Sequence, residues 1–339
     1  MATSTLSRLD TSTMRVSPNV LRINYCALSN TKTGQRKKKY LVDYLGRVLP
    51  SITTFYSAAT GVNICTTDDG IVVHTLFEDT RDVPTLLDVQ ALNLPPHALC
   101  IDSTDITDVE WLHLYVSKVK YRGRPCVWKQ HNSPGQTLAF QAELEVYTWP
   151  AFESPHVAKF IGYTSNEFAK VTGFVLPYYD GGDLKWALRL RKYPESYQED
   201  SKFRWAAQIA HALVALHQSG LTHGDLRCEN VVLDHEGNAI VIDMVRGWGY
   251  MDGWAPCTEK DVGSDPKWDI YTFGVTLWEM AHNGQEPPKE GLGNLEQFTI
   301  GTDFWAKNKE LVSKCLALDP EQRPSALEVP ASGCENLVA

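Results

Sequence analysis

Between Leu221 and Met244 the sequence LTHGDLRCENVVLDHEGNAIVIDM sets two acids and an amide around a strand-turn-strand. These residue types and spacings suit phosphoryl transfer, where the migrating group does much of its own bond breaking and the protein chiefly positions reactants and neutralises charge. Asp225 is placed to orient an acceptor hydroxyl and take its proton, and Asn230, in the same loop, to bind a metal ion. Asp243 follows the apolar run Ala239, Ile240, Val241 and Ile242, which reads as a buried strand delivering a carboxylate to a magnesium that bridges nucleotide phosphates.

Such groups need rigid elements on both sides. Upstream, FRWAAQIAHALVALHQ carries Trp205, Ile209, Leu213 and Leu216 at helical spacing, and downstream SDPKWDIYTFGVTLWEM supplies a second helix rich in apolar residues. Nearer the N-terminus, VKYRGRPCVWKQ reads as two strands joined at Arg122 to Arg124, followed by a helix, LAFQAELEVYTW.

Taken together, these segments resemble the eukaryotic protein kinase superfamily. His223, Asp225 and Asn230 match its catalytic loop, and Asp243 its Asp-Phe-Gly motif. The order Asp-Ile-Tyr-Thr-Phe-Gly from Asp269 is similar to the helix whose leading Asp ties down the catalytic-loop backbone, and CLALDPEQRPSALEV to the segment whose Arg, here Arg323, is buried in the large lobe. The resemblance implies an α+β, bilobal kinase-like fold with a small β-rich lobe and a larger helical lobe, and ATP and magnesium as nucleotide and metal. It places Lys129 on the α- and β-phosphates, paired with an acid of the next helix. Glu143 and Glu145 are the candidates and lie on different faces, each residue turning the helix by about 100°. Val146 and Tyr147, three and four residues beyond Glu143, are apolar enough to face a core, which favours Glu143. Tyr147, Phe160, His223 and Met244 then fall where the superfamily builds its regulatory spine. GFVLPYYDGGDL looks like the hinge, with Leu176 as gatekeeper, the Pro177 carbonyl and Tyr179 amide facing adenine, and Asp183 reaching the ribose; a Gly-Gly pair before Asp-Leu is equally an ordinary helix start. Arg227 stands in the place of a lysine that meets the γ-phosphate.

The departures are as informative. ITDVEWLHLYVSKVKYRG has no glycine before Gly123, so backbone amides cannot close over phosphates in the usual way. The metal motif reads Asp243, Met244, Val245, and Val lacks the backbone freedom of glycine, which restricts flipping of the motif. Gly224 replaces the arginine that reads an activation-loop phosphate, and MVRGWGYMDGWAP contains no Ser or Thr to carry one. Tyr250 replaces a threonine and Cys257 a glutamate, so Arg323 is left to find another acid, with Glu259 a candidate, or to stay partly solvated.

At 339 residues the chain accommodates a kinase core, assigned to residues 105–333 with lobes at about 105–176 and 180–333, plus a β-rich appendage over 1–104. The opening dozen residues, rich in Ser and Thr, read as loose; VLRINYCAL, ITTFYSAA, GVNICTT and GIVVHTLF read as short strands, and DVQALNLPPHALC as the boundary. The appendage offers a surface for a protein partner. A net charge of -9 excludes general nucleic-acid binding, and the basic run Arg36 to Lys39 reads as a solvated loop. No apolar stretch reaches the roughly 18 residues of a spanning helix, and the start lacks a signal peptide's apolar core. Eight cysteines without CxxC or CxxxH spacing read as free thiols of a reducing, cytoplasmic compartment, the nucleus not being excluded; Cys228 reads as inert.

Three functions fit. The first is magnesium- and ATP-dependent phosphorylation of a protein hydroxyl, of serine/threonine type and without an activation-loop switch. A pseudokinase scaffold is favoured by the lost glycines, and a kinase-fold enzyme acting on a small molecule by Tyr250 and the short activation segment.

Overall fold

A computed structural model describes residues 10–16, 19–26, 61–66, 72–77, 86–92, 94–95, 98–113, 115–131, 137–149, 152–190, 195–245, 265–287 and 302–329. The chain divides into a unit formed by residues 1–85 with 132–135 and a larger unit formed by 86–131 and 136–339.

In the first unit the strands β1 (Asp10–Val16), β2 (Asn19–Cys26), β3 (Gly61–Thr66) and β4 (Val72–Phe77) pair in that order, with β2 and β3 parallel and the other pairs antiparallel. Three of these fall on the expected strand runs, while the fourth run, ITTFYSAA, lies outside the described residues. The expectation of a loose opening dozen is corrected from Asp10 onward: TSTMRV alternates in a β-prone way and pairs residue by residue with β2.

The larger unit begins earlier than expected. Within residues assigned to the appendage, β5 (Leu87–Asp88) and β6 (Cys100–Ile101) join the sheet completed by β7 (Ile106–His113), β8 (Val116–Tyr121), β9 (Arg124–Gln130), β10 (Gly162–Ser165) and β11 (Lys170–Pro177). The order is β6-β10-β11-β9-β8-β7, with β5 paired to β11, so the boundary moves from residue 104 to residue 86. Pro95, one of the two prolines that suggested a linker, lies between these two strands, outside the paired residues. β8 and β9 form a hairpin whose two turn residues, Arg122 and Gly123, lie at φ +50° and +73°, the conformation that matches the twist of the flanking strands. β11, buried over most of its length, is a central strand and carries the chain to the hinge.

The helical part contains α1 (Thr137–Tyr147), α2 (Leu184–Arg189), α3 (Glu195–Gln218), α4 (Pro266–Ala281) and α5 (Asp303–Cys315), with a small hairpin of β12 (Val231–Leu233) and β13 (Ala239–Val241). Trp205, Ile209, Leu213 and Leu216 of α3 are all buried, as their spacing requires, and pack in one core with Ile270, Phe273, Leu277 and Trp278 of α4. α4 is buried nearly throughout and starts with Asp265 as N-cap and Pro266 in its first turn. This arrangement is the α+β, bilobal kinase fold expected from the sequence.

Candidate active site

The catalytic loop hangs from α4. Asp269, fully buried, accepts hydrogen bonds from the His223 amide (2.8 Å) and the Gly224 amide (2.9 Å), and contacts His217 Nε2 at 2.9 Å. Two backbone donors that water cannot reach are thereby satisfied by one carboxylate, which is why an acid at this helix start fixes the loop. His223 is pinned in one tautomer. Its Nδ1 lies 3.2 Å from the Asp225 amide, which can only donate, so Nε2 carries the proton and donates to the Ile242 carbonyl at 3.0 Å. Burial lowers the pKa of this imidazole, in keeping with a neutral ring.

Those bonds present Asp225. Asn230 donates through Nδ2 to the Asp225 carbonyl (2.8 Å) and to Oδ2 (3.0 Å), while Oδ1 is buried with no partner among the described residues. Burial pushes this carboxyl up to about 6, against the pull of Arg227 and Asn230. Asn230 commits its amide nitrogen to the loop and keeps its side-chain oxygen for another partner.

β13 delivers Asp243 to the opposite strand-borne cation. Lys129, the sixth residue of β9, donates to Asp243 Oδ1 and, at 2.6 Å, to Glu143 Oε1 of α1. Glu145 faces elsewhere and accepts from Gln141 at 2.8 Å, so the register inferred from Val146 and Tyr147 is the one adopted. Lys129 and Glu143 are almost wholly shielded. Burial opposes the ammonium, yet Asp243 and Glu143 outweigh it and raise the Lys129 pKa. Burial drives Glu143 up to about 7, with Lys129 pulling it down and Asp243 pushing it further up. One ammonium is shared by two carboxylates.

The strained residue of the metal motif is Asp243 itself, at φ +61°, and not Val245, whose amide donates to the His223 carbonyl at 2.8 Å. Met244 and His223 are fully buried; Met244 and Tyr147 belong to one core, against which Phe160 packs, so three of the four expected spine residues share it.

At the hinge Leu176 is buried opposite Val127, Pro177 pairs in register with Cys126, and the Tyr179 amide has no backbone partner among the described residues. Asp183 takes the other of its two readings: its Oδ1 caps α2 by accepting from the Trp186 amide at 2.7 Å, because a helix start leaves that donor unpaired.

Arg227 differs from expectation. Instead of standing free for a phosphate, it forks onto Glu229, with Nε at 3.0 Å and Nη2 at 2.8 Å. Arg323 is buried, not partly solvated, and donates to the carbonyls of Ala317 (2.8 Å), Lys267 (3.2 Å) and Leu318 (3.4 Å), with its guanidinium 4.9 Å from the Tyr271 ring. Glu259, Cys257, Tyr250 and the run Arg36 to Lys39 lie outside the described residues.

Sequence reasoning missed Lys185 and its acids. Lys185 of α2 is buried and donates to Glu229 (2.5 Å) and Glu286 (2.7 Å). A lysine directly after the helix-capping Asp-Leu was the available signal, but its partners are far apart in the chain. Cys228 is fully buried and burial raises its pKa, which suits the inert role expected of it. Among the described residues Cys100, Cys126, Cys228 and Cys315 are free thiols.

Comparison with known proteins agrees with this geometry. The family described as protein tyrosine and serine/threonine kinase matches residues 126–245, the stretch from β9 to the metal motif. A probable LIM domain-containing serine/threonine-protein kinase of Dictyostelium discoideum is 26% identical over 238 residues, covering 63% of this chain and 36% of the relative. A putative mitogen-activated protein kinase kinase kinase 7-like protein of Drosophila melanogaster is 24% identical over 249 residues, covering 63% and 61%. A tyrosine-protein kinase receptor of Mus musculus is 28% identical over 211 residues, covering 51% and 23%. The chain thus spans less than two thirds of the length of each of these relatives. With the tethered catalytic loop, the Lys129–Glu143 pair and these matches in hand, the chain is a divergent member of the eukaryotic protein kinase superfamily.

Proposed function

We propose that the protein transfers a phosphoryl group from ATP to a hydroxyl of a protein substrate, with serine/threonine preference and without an activation-loop phosphorylation switch. The observation that carries this reading is the meeting of Lys129, Glu143 and Asp243 in one ion-paired group, on a scaffold that leaves Asp225 Oδ1 buried and without a partner among the described residues. Folding alone has no use for a buried carboxylate oxygen without a donor, whereas a general base needs one aimed at its substrate.

Among the described residues no three His, Cys, Asp or Glu side chains converge as a metal site. Magnesium does not ask for such a set, since one or two carboxylates suffice when substrate phosphates and waters complete its shell. Asp243 and the Asn230 side-chain oxygen fit that role and would hold it, where it would neutralise charge building on the phosphates. Lys129 would grip the phosphates once it shares its protons with them as well as with Glu143. The Tyr179 amide and Pro177 carbonyl would take the adenine edge, with Leu176 behind it. Asp225 would orient the acceptor hydroxyl and receive its proton at Oδ1.

The serine/threonine preference is supported by Arg227, a cation in the place where that class keeps a lysine. Absence of the switch is supported by Gly224, which at φ +83° sits where the phosphate-reading arginine would be. The test is magnesium-dependent ATP binding measured by thermal shift, followed by radiolabelled transfer to peptide pools and to small hydroxylated metabolites. Binding that disappears in Asp243→Asn, with label entering peptides, supports the reading. Absence of binding would favour the pseudokinase scaffold, which one observation supports: β7 and β8 offer no glycine-lined amides to phosphates.

A further inference from the structure

Lys185 lies in the first turn of α2, outside the machinery above, with its side chain 7% exposed. Three carboxylates surround its ammonium: Glu229 at 2.5 Å, Glu286 at 2.7 Å and Glu279 at 3.7 Å. Glu279 is itself buried in α4, and its Oε2 has no hydrogen-bond partner among the described residues. Glu229 is therefore held twice, by Lys185 from the hinge side and by the Arg227 fork from within the catalytic loop.

The fork occupies Nε and Nη2 of Arg227, so turning this bidentate edge to a γ-phosphate loosens it. With no second cation, its departure would strand a half-buried carboxylate beside buried Glu279, which is costly in a poorly solvated place. Lys185 removes that penalty because it stays on Glu229 when Arg227 leaves. We propose that Lys185 is a positioning residue that makes Arg227 available to the terminal phosphate by keeping Glu229 neutralised. The inference rests on the phosphoryl-transfer reading and names the device that resolves the one cation found turned away from its expected target.

The experiment is calorimetric binding of magnesium-ATP and magnesium-ADP to the full chain. The ratio of the two affinities reads the contact with the terminal phosphate and does not require turnover. Arg227→Met is expected to reduce the preference for ATP by roughly tenfold or more, the scale of a charge-assisted hydrogen bond. Lys185→Met should reduce it to a similar extent, while ADP affinity stays the same. Lys185→Met/Glu229→Gln should regain the preference, because the neutral amide no longer clamps Arg227. If Lys185 merely cemented α2 to the loop, the second substitution would remove one more bond and recover nothing. Should Lys185→Met fail to fold, Lys185→Met/Glu279→Gln removes the stranded buried acid and carries the same comparison, and Lys185→Arg should keep the preference. A Lys185→Met protein with wild-type preference, or a double variant without recovery, overturns the proposal. A wild-type chain that binds neither nucleotide overturns the phosphoryl-transfer reading and this inference with it, whereas nucleotide binding indifferent to Arg227→Met overturns this inference alone.

Discussion

The catalytic loop and the β7–β8 ribbon are built by opposite principles. In the loop, buried polar groups are tied to one another: Asp269 to two amides, His223 to a carbonyl and an amide, Asn230 to Asp225. In the ribbon, β7 pairs with β8 through two register irregularities, places Asp108 at φ +51°, and leaves Val109, Trp111 and Leu112 about half exposed. A substitution in the loop leaves a donor or acceptor unpaired where no water can replace its partner, whereas one in the ribbon trades side-chain surface that water already reaches.

That contrast orders the expected effects. Asp225→Asn should lower phosphoryl transfer by about a hundred- to ten-thousand-fold with magnesium-ATP binding retained, as loss of a general base does. In the wild type, transfer should fall as pH drops through about 6, because Asp225 accepts a proton only while ionised. Full transfer by the amide variant would remove the proposed base. Lys129→Met leaves Glu143 and Asp243 facing each other and should cost about 3 kcal/mol of stability, together with ATP affinity. Its deficit in chemical denaturation should be larger at pH 8 than at pH 6, since Glu143, raised to about 7 beside Lys129 and raised further without it, is protonated at the lower pH and relieves the repulsion. An equal deficit at both pH values would argue against the shared ammonium.

Smaller effects test the loop against the ribbon directly. Asp269→Asn keeps the shape but gives up a charge-assisted acceptor, and should cost about 2 kcal/mol in urea unfolding. Gly224→Ala places a Cβ at φ +83° and should cost about 1 kcal/mol, showing that the missing arginine and the backbone conformation go together. Leu112→Ala, in the ribbon, should stay within about 0.5 kcal/mol of wild type and shift ATP affinity far less than Lys129→Met. A ribbon substitution as damaging as Asp269→Asn would erase the distinction.

Most of the site was legible because its residues are read in short windows. The catalytic loop and metal motif fit inside the 24 residues from Leu221 to Met244, and the choice of Glu143 over Glu145 followed from which helix face was apolar. What was missed depended on partners far away in the chain: Lys185 meets Glu229 and Glu286, 44 and 101 positions further on. The appendage boundary failed for a related reason: a two-residue strand such as β5 has no periodicity, and it exists only because β11 offers an open edge at Val171 and Lys170.

The sequence by itself determined the family, the fold class and the identity of the polar groups, because these follow from local order and from the alternation of apolar and polar positions. Only the tertiary structure decided how charge is shared: that Lys129 serves two carboxylates, and that Arg227 and Lys185 divide Glu229 between them. Electrostatic energy depends on distance and burial, and residues 44 or 114 positions apart acquire both only when the chain has folded.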